Sequence, residues 1–247
     1  MTDWLEGRVV ERRRWTGRLH TLRFEAPLGE FRAGQFTRVA LDIDGERVGR
    51  PYSLVNAPDE RPLEIYFNEV PEGPLSPRLS ALEPGDRLWV DRTPRGFFTL
   101  DEVPEAEQLW LFSTGTALGV FLSLLKTDEP WQRFRDVVLV QGVRQADELT
   151  YDDTLARIAS RHTGQFTFVP VLSREQRPGT LHGRIPPLLA DGSLEEAINL
   201  RLAPERAQIM LCGNQGMITD ASEHLKDRGF RRNRRNEPGH ITTEKYW

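Results

Sequence analysis

The sequence of 247 residues predicts two domains, an antiparallel β-barrel followed by a doubly wound parallel α/β sheet. In the first hundred residues, short β-forming runs recur between turn residues, a pattern typical of small barrels and sandwiches. Further along, continuous apolar runs alternate with helical segments, which is typical of parallel βαβ units covered on both faces. We expect domains at residues 1–100 and 101–247, with the acidic, proline-containing segment Thr99–Glu107 as the linker.

Six strands and one short helix are predicted in the first domain. The strands follow β-rich runs bounded by turn residues, and they span Gly7–Arg14, Leu19–Glu25, Phe36–Leu41, Arg47–Leu54, Leu63–Glu69 and Arg87–Asp91. The helix is predicted over Ser76–Leu82, with Ser76 as its N-cap and Pro77 at the first helical position. Because Pro51 has no N–H for a β-ladder, its strand is expected at an edge or opening.

The second domain is predicted from four apolar strands and the helical segments between them. The strands span Gln108–Ser113, Asp136–Val140, Gln165–Leu172 and Ala207–Cys212. Helices are predicted over Thr116–Leu125 and Tyr151–Arg161. In an open parallel sheet, ligands bind beyond the carboxyl ends of the strands, so the loops there are the candidate site.

Composition and charge exclude several classes of protein. The formal net charge is −4, so no overall field attracts nucleic acid or an anionic membrane. The single cysteine, Cys212, rules out an internal disulfide, a cysteine-only zinc site and an iron–sulfur cluster, and it favours a reducing compartment. No apolar run approaches a membrane span and no signal-peptide pattern is present, so we expect a cytoplasmic protein without nucleic-acid or membrane partners.

Two loops of the second domain bring glycine to the start of a predicted helix. Ser113–Gly119 follows the first strand, and its helix N-terminus offers free N–H groups to a phosphate. The alternative is a plain tight turn between strand and helix. The loop from Cys212 to Met217 follows a buried strand in the same way, and there the alternative is a core cysteine that packs as a small hydrophobic residue.

Three arginines follow strand ends of the second domain. Arg144 stands where a site for NAD would place an acid against the ribose 2′-hydroxyl, while Arg174 and Arg184 follow the next strand. Guanidinium groups match phosphate geometry, so the set could clamp a 2′-phosphate. The alternative is three solvated surface arginines in a chain with 33 Lys and Arg.

In the first domain, Arg50-Pro51-Tyr52-Ser53 and the turn at Gly73–Ser76 carry the candidate ligand groups. Arg50 and Tyr52 share one face of an extended segment, and Ser53 reaches that face only if the chain bends. A flat aromatic ligand that carries a pyrophosphate would fit both features. The alternative is a barrel opening with a half-exposed tyrosine.

Together these motifs resemble the ferredoxin–NADP⁺ reductase superfamily over essentially the whole chain, and its bacterial ferredoxin/flavodoxin reductases most closely. The order and spacing agree for R-x-Y-S at Arg50–Ser53, G-x-x-S at Gly73–Ser76, Thr114-Gly115-Thr116, Cys212-Gly213-Asn214 and the ending Glu244-Lys245-Tyr246-Trp247. The resemblance implies FAD in the barrel and NADP(H) on the parallel sheet. Pro74 departs from the family pattern because it removes one N–H from the pyrophosphate loop.

The resemblance also implies residue roles. For FAD, the resemblance implies that Tyr52 stacks on the flavin and that Ser53 hydrogen-bonds flavin N5. Arg50 would bind the pyrophosphate together with Gly73, Leu75 and Ser76. Further contacts with FAD would come from Thr116, Tyr246 and Trp247. For NADP(H) the implied residues are Thr114, Gly115, Thr116, Cys212, Asn214 and the arginines 144, 174 and 184. The implied catalytic set is Tyr52, Ser53, Cys212, Glu244 and Tyr246. Tyr246 would cover the second flavin face in a C-terminal tail that must move to admit nicotinamide, and Trp247 would reach the FAD adenine.

The activity implied is an FAD-dependent reductase that exchanges hydride with NADP(H) and single electrons with ferredoxin or flavodoxin. Alternatives are an NAD(P)H-dependent reductase of free flavin and a non-catalytic flavin-binding redox sensor. We expect a monomer with a basic docking face for an acidic carrier. The candidates for that face are Arg12, Arg13, Arg14, Arg231, Arg232, Arg234 and Arg235, although a solvated charged face would have the same composition.

Overall fold

A computed structural model describes residues 3–246, which form two compact units. One unit contains the chain up to Thr99 together with Gly119–Thr127, and the other contains Leu100–Leu118 and the chain from Asp128 onward. The later segment of the first unit is tied in by polar contacts. Its Lys126 ammonium lies 2.9 Å from the Glu60 carboxylate and donates to the Val55 carbonyl at 3.1 Å.

Among the described residues, the part of the first unit up to Thr99 is a six-stranded antiparallel sheet with one short helix. The strands are β1 (Trp4–Arg14), β2 (Leu19–Glu25), β3 (Phe36–Ile43), β4 (Glu46–Ser53), β5 (Leu63–Asn68) and β6 (Arg87–Asp91), in the order β4-β3-β6-β1-β2-β5. Leu54, just beyond β4, bridges to Ile65 of β5, so the two ends of the sheet meet as it curls. The predicted antiparallel barrel is confirmed in this curled form.

The core of the first unit lies inside the curled sheet. Side chains that alternate along the strands fill it, and Leu22, Phe24, Ile65, Leu88 and Val90 are fully buried. The β3–β4 hairpin turns at Asp44 and Gly45, both with positive φ (51° and 84°), the backbone that Asp-Gly favours in a two-residue hairpin loop. That turn fixes the register in which β4 presents Tyr52.

Strand β4 lies at an edge of the sheet, as Pro51 predicted. Pro51 pairs with Arg38 of β3 and is exposed, so its missing N–H removes no ladder bond on the open side. The helix prediction was wrong in detail. Helix α1 spans Ser76–Ser80, its N-cap is Leu75, and the Ser76 hydroxyl accepts the Val70 N–H at 2.9 Å instead of capping the helix.

The second unit is built on a six-stranded parallel sheet within the described residues. Its strands are β7 (Gln108–Thr114), β8 (Asp136–Val143), β9 (Phe166–Leu172), β10 (Leu181–His182), β11 (Ala207–Gly213) and β12 (Ile241–Lys245), in the order β10-β9-β8-β7-β11-β12. The chain winds outward from β7 to β10 and then returns to the other side of β7. The predicted doubly wound sheet is therefore confirmed.

Helices and short 3₁₀ turns connect these strands. The helices are α2 (Leu118–Leu125), α3 (Glu129–Arg133), α4 (Asp152–Arg161), α5 (Ile185–Ala190), α6 (Ser193–Ile198) and α7 (Gln215–Asp227), and the 3₁₀ turns are Leu100–Glu102, Gly115–Ala117 and Ala146–Glu148. One face of the sheet packs against α5, α6 and α7. Helix α7 buries Met217, Ile218, Ala221 and Leu225, which share one helical face. No helix among the described residues is long and apolar enough to cross a membrane.

Replacing Gly34 by Ala is expected to destabilise the protein more than replacing Gly45 by Ala. Both glycines have positive φ (92° and 84°), so each alanine carries about 1–2 kcal/mol of backbone strain. A Cβ at Gly34 would also overlap the Phe98 carbonyl oxygen, whereas at Gly45 nothing lies within 4 Å. This overlap should add about 1–3 kcal/mol, measured by urea unfolding. Equal losses in the two variants would contradict the predicted steric conflict.

Candidate active site

Tyr52 sits at the open edge of the first unit's sheet with its ring partly buried. It pairs with Thr37 of β3 and meets the Phe67 ring edge-on, with centroids 5.9 Å apart and planes at 70°. Burial raises the pKa of Tyr52 to about 12, although nearby Arg50 acts in the opposite direction. The phenol is therefore neutral at physiological pH, and its fixed ring is suited to stack on a flat heteroaromatic ligand.

Arg50 and Ser53 flank Tyr52 in the same strand. Arg50 is exposed and donates to the Gly49 carbonyl at 3.0 Å, and no ion pair engages it within residues 3–246. Ser53 ends β4. Beyond it, the Leu54 N–H donates to the Gln35 carbonyl at 3.1 Å and the Val55 N–H to the Glu64 carbonyl at 3.0 Å. The chain thus changes from pairing beside β3 to pairing with β5 just beyond Ser53.

The Gly73–Ser76 turn is braced by hydrogen bonds to a single residue. The Gly73 N–H donates to the Val70 carbonyl at 2.8 Å, and the Ser76 hydroxyl accepts the Val70 N–H. Leu75 and Ser76 are buried. The role of Ser76 shown here is to shape the turn, so the first N–H groups of α1 are the groups left for a ligand.

Thr114 and the Gly213-Asn214 pair form the switch point of the parallel sheet. The Asn214 N–H donates to the Thr114 hydroxyl at 2.8 Å, which joins the carboxyl ends of β7 and β11. Gly213 has a φ of 130°, and a Cβ there would overlap the Thr114 hydroxyl oxygen. The Asn214 side chain caps α7 through the N–H groups of Gly216 and Met217. In doubly wound sheets, the crevice at such a point is where ligands bind.

Cys212, Glu244 and Tyr246 gather beside this switch point. Cys212 is fully buried and lies in register with Glu244 of β12, while the Tyr246 N–H donates to the Gly213 carbonyl at 3.3 Å. Burial, followed by the Glu244 carboxylate, raises the pKa of the Cys212 thiol well above its usual value, and a hydrogen bond with Tyr246 opposes the shift in part. The thiol therefore stays protonated at neutral pH, and Cys212 lines the site without acting as a nucleophile.

Glu244 has a shifted ionisation of its own. Burial raises its pKa from 4.5 to about 7, and its Oε2 atom has no hydrogen-bond partner in the described part of the chain. A carboxyl group with such a pKa can hold or release a proton near neutral pH. Register places Ser113 and Gln141, both fully buried, in the same row of the sheet as Cys212 and Glu244. This row of residues is not visible in the sequence, because it depends on the register between four strands that lie far apart along the chain.

The three predicted arginines lie at the carboxyl ends of β8, β9 and β10. The Arg174 N–H donates to the Arg144 carbonyl at 2.9 Å, and the Gly183 N–H bonds Leu172, which brings Arg184 to the same edge. All three side chains are exposed. Among residues 3–246 none of them makes an ion pair or a side-chain hydrogen bond, although most other arginines of the chain do. An anionic ligand is the partner that this arrangement fits.

Two carboxylates near these arginines bond to backbone groups instead. Glu148 Oε2 accepts the Arg144 N–H at 2.7 Å, and Glu175 Oε2 accepts the Ala146 N–H at 2.8 Å. They fasten the loops after β8 and β9 while leaving the guanidinium groups unpaired. Neither residue was predicted from the sequence. Gln145 and Glu148 form a capping box within their own loop, a local pattern that could have indicated Glu148, whereas no local pattern indicates that Glu175 braces the loop after β8.

The structure brings part of the predicted set together within each unit. Thr114, Cys212, Asn214, Glu244 and Tyr246 surround the switch point, and Gly115 and Thr116 begin the 3₁₀ turn that leads into α2. Arg50, Tyr52 and Ser53 lie in one strand of the first unit. Trp247, predicted at the FAD adenine, lies outside the described residues.

Comparison with known proteins agrees with this geometry. A family model described as an oxidoreductase NAD-binding domain matches residues 111–223. Flavodoxin/ferredoxin–NADP reductases of Shigella flexneri and Escherichia coli (strain K12) are each 46% identical over 248 residues, covering 100% of both sequences. The solved structure of a ferredoxin NADP⁺ reductase from Neisseria gonorrhoeae with bound FAD and NADP has a TM-score of 0.94 at 32% identity, covering 100% of both chains.

Replacing Glu244 by Gln is expected to stabilise the protein above pH 7 and to change little at pH 5. Because the pKa of Glu244 is raised to about 7 in the folded state, ionisation opposes folding, and the stability lost as pH rises from 4.5 to 7 reaches roughly 3 kcal/mol. Urea unfolding at pH 5 and pH 8.5 measures the difference. Glu223→Gln, at an exposed position of α7, is the matched control, and an equal gain in both variants would disprove the assignment.

Proposed function

The chain belongs to the flavodoxin/ferredoxin–NADP reductase family, and from this membership we propose how its two units carry out the reaction. It is an oxidoreductase that uses FAD and NADP(H). The observation that carries the assignment of the second unit is the group of unpaired arginines at the carboxyl edge of its sheet, beside the switch-point crevice. A phosphorylated dinucleotide is the ligand that satisfies both features.

The first unit is proposed to bind FAD. The neutral ring of Tyr52 stacks on the isoalloxazine, the Ser53 hydroxyl bonds flavin N5, and the unpaired Arg50 guanidinium meets the pyrophosphate. Leu75 and Ser76 supply backbone N–H groups at the start of α1 to the same pyrophosphate, and Gly73, whose own N–H bonds the Val70 carbonyl, shapes the turn before them. Bound FAD supplies the redox chemistry, since it takes up hydride and releases electrons one at a time.

The second unit is proposed to bind NADP(H) along the carboxyl edge of its sheet. Thr114, Gly115 and Thr116 lie at the start of the 3₁₀ turn after β7, where N–H groups can bind phosphate oxygens. Asn214, whose N–H and side chain are already hydrogen-bonded, borders the same crevice. The arginines 144, 174 and 184 hold the 2′-phosphate. Cys212 borders the nicotinamide as a neutral thiol. A thiolate there would attract the oxidised nicotinamide, which is a cation, more strongly than the reduced nicotinamide, which is neutral.

Glu244 is proposed to hold or move a proton on the nicotinamide side of the site. Its pKa of about 7 and its unpartnered buried oxygen support this role, because the group changes charge in the range where the reaction runs. The cover that Tyr246 and Trp247 would form over the flavin stays a prediction from the resemblance.

Two alternatives are less well supported. A reductase of free flavin would share the fold but release its flavin, while a non-catalytic flavin sensor would need no 2′-phosphate site. The unpaired arginines argue against the sensor. The names of the full-length relatives argue against the free-flavin reductase.

Redox partners of the ferredoxin or flavodoxin kind follow from the family, and we propose that an acidic carrier docks on exposed arginines. Arg12 bonds Glu83, while Arg234 and Arg235 pair with Glu237 and Glu102. Arg13 instead lies over the Trp15 ring, 3.5 Å from its centroid. Of the seven candidates, those without an ion pair among the described residues are therefore Arg13, Arg14, Arg231 and Arg232. We further propose a cytoplasmic monomer that uses neither nucleic acid nor membrane, consistent with the single free cysteine and the net charge of −4.

Purified protein is expected to be yellow, to keep its FAD through gel filtration, and to lose flavin absorbance on mixing with NADPH. The arginine group predicts that NADH bleaches the flavin far more slowly at equal concentration, because it lacks the 2′-phosphate. Stopped-flow absorbance measures both rates. A colourless protein, or equal rates with the two nucleotides, would contradict the assignment, and loss of flavin on the column would favour the free-flavin reductase.

Arg13→Gln is expected to slow reduction of an acidic flavodoxin about two- to fivefold at low salt and to have little effect at 0.5 M salt. Removing an unpaired charge weakens electrostatic steering, which salt screens. Arg234→Gln is the matched control, since Arg234 already pairs with Glu237 at 3.6 Å. Stopped-flow rates over a salt series test this, and a wild-type rate indifferent to ionic strength would rule out steered docking.

A further inference from the structure

His182 occupies a position among the unpaired arginines that no motif assigns. It forms β10 with Leu181, pairs in register with Leu172 of β9, and lies two residues before Arg184. Its side chain is exposed, yet its Nδ1 atom is held 2.9 Å from the Glu175 carbonyl oxygen. Because a carbonyl oxygen only accepts, Nδ1 carries the ring proton, and the other nitrogen, Nε2, is left as the free acceptor of the neutral imidazole.

The ionisable groups on the segments around His182 are mostly positive. Arg174 and Glu175 follow β9, Arg184 precedes α5, and Arg177 lies in the turn between β9 and β10. Arg144, Asp147 and Glu148 belong to the adjoining loop after β8. Glu148 and Glu175 bond backbone N–H groups, and no carboxylate among the described residues forms an ion pair with the His182 ring or with these guanidinium groups. The edge of the ring is therefore open to a negative ligand.

We propose that His182 is a fourth contact to the 2′-phosphate of NADP(H), formed when the imidazole takes up a proton. The inference rests on the proposed function of the arginine group and adds a residue to it. Protonation turns Nε2 from an acceptor into a donor and adds a positive charge, while Nδ1 keeps its bond to the Glu175 carbonyl. The fixed ring therefore offers the phosphate a charge-assisted hydrogen bond without a change of orientation.

This contact makes affinity for the phosphorylated nucleotide depend on pH. Because only a protonated imidazole donates from both ring nitrogens, the proposed contact is expected to contribute more at pH 6 than at pH 8.5. The phosphate has a second ionisation near pH 6, which acts in the same way on every variant. Comparing variants at one pH isolates the histidine.

The test is calorimetric binding of 2′,5′-ADP to the full-length flavoprotein, with 5′-AMP as the probe that lacks a 2′-phosphate. His182→Gln is expected to weaken 2′,5′-ADP binding about five- to tenfold at pH 6 and less than twofold at pH 8.5, with 5′-AMP unchanged. Proton uptake, measured in two buffers of different ionisation enthalpy, should fall in this variant. His182→Lys should bind 2′,5′-ADP more tightly than His182→Gln at pH 8.5 as well as at pH 6, since the lysine charge persists.

Controls separate failure of this inference from failure of the proposed site. His224→Gln removes a histidine at the far end of α7 and should leave both affinities unchanged. Arg174→Gln should weaken 2′,5′-ADP binding at both pH values. If Arg174→Gln weakens binding while His182→Gln matches wild type at pH 6, only the role of His182 is overturned. If wild type binds 2′,5′-ADP no better than 5′-AMP, the arginine site itself is overturned.

Discussion

The hydrogen bond from the Asn214 N–H to the Thr114 hydroxyl holds together the two strands between which the parallel sheet reverses its order. It forms only because Gly213 has no side chain, since a Cβ would overlap that hydroxyl. With β7 and β11 fixed there, Cys212 aligns with Glu244 in the neighbouring strand, and Asn214 is placed to cap α7. Three successive residues therefore have three different roles. Cys212 is a buried side chain that lines the site, Gly213 lets the backbone approach Thr114 closely, and Asn214 caps α7.

The architecture could be predicted because each part carries a strong local signal. Apolar runs identified β7, β8, β9 and β11, and Pro51 correctly marked an edge strand. Strand β12 had no such signal, since Ile-Thr-Thr-Glu-Lys is polar and becomes a strand only by pairing with β11. Ser76 looked like a helix cap, but its hydroxyl oxygen accepts the N–H of Val70, six residues earlier, and a local pattern does not indicate which N–H group a serine will bond.

The site shows the same division between local and long-range information. The arginines 144, 174 and 184 were predicted from their positions after strands. What distinguishes them from ordinary surface arginines is the lack of a carboxylate partner among the described residues, which depends on where Glu148 and Glu175 bond. Glu148 accepts a backbone N–H group of its own loop, and Glu175 accepts one of the neighbouring loop. Counting the charged residues of these loops in the sequence is thus a poor guide to the electrostatic potential at the site, because the acids of the same loops bond backbone groups and do not pair with the arginines.

The segment Gly119–Thr127 belongs to the first unit although it follows the first strand of the second, so the first unit is discontinuous along the chain. Ser123 in this segment satisfies two backbone groups of the first unit, because its hydroxyl accepts the Gly34 N–H and donates to the Asn56 carbonyl. A fragment cut near residue 100 would lose the hydroxyl that both groups bond, together with the segment that covers them. Gene fusions or domain exchanges that treat this chain as two consecutive modules would therefore divide a single core, and a viable junction must carry residues 119–127 with the barrel.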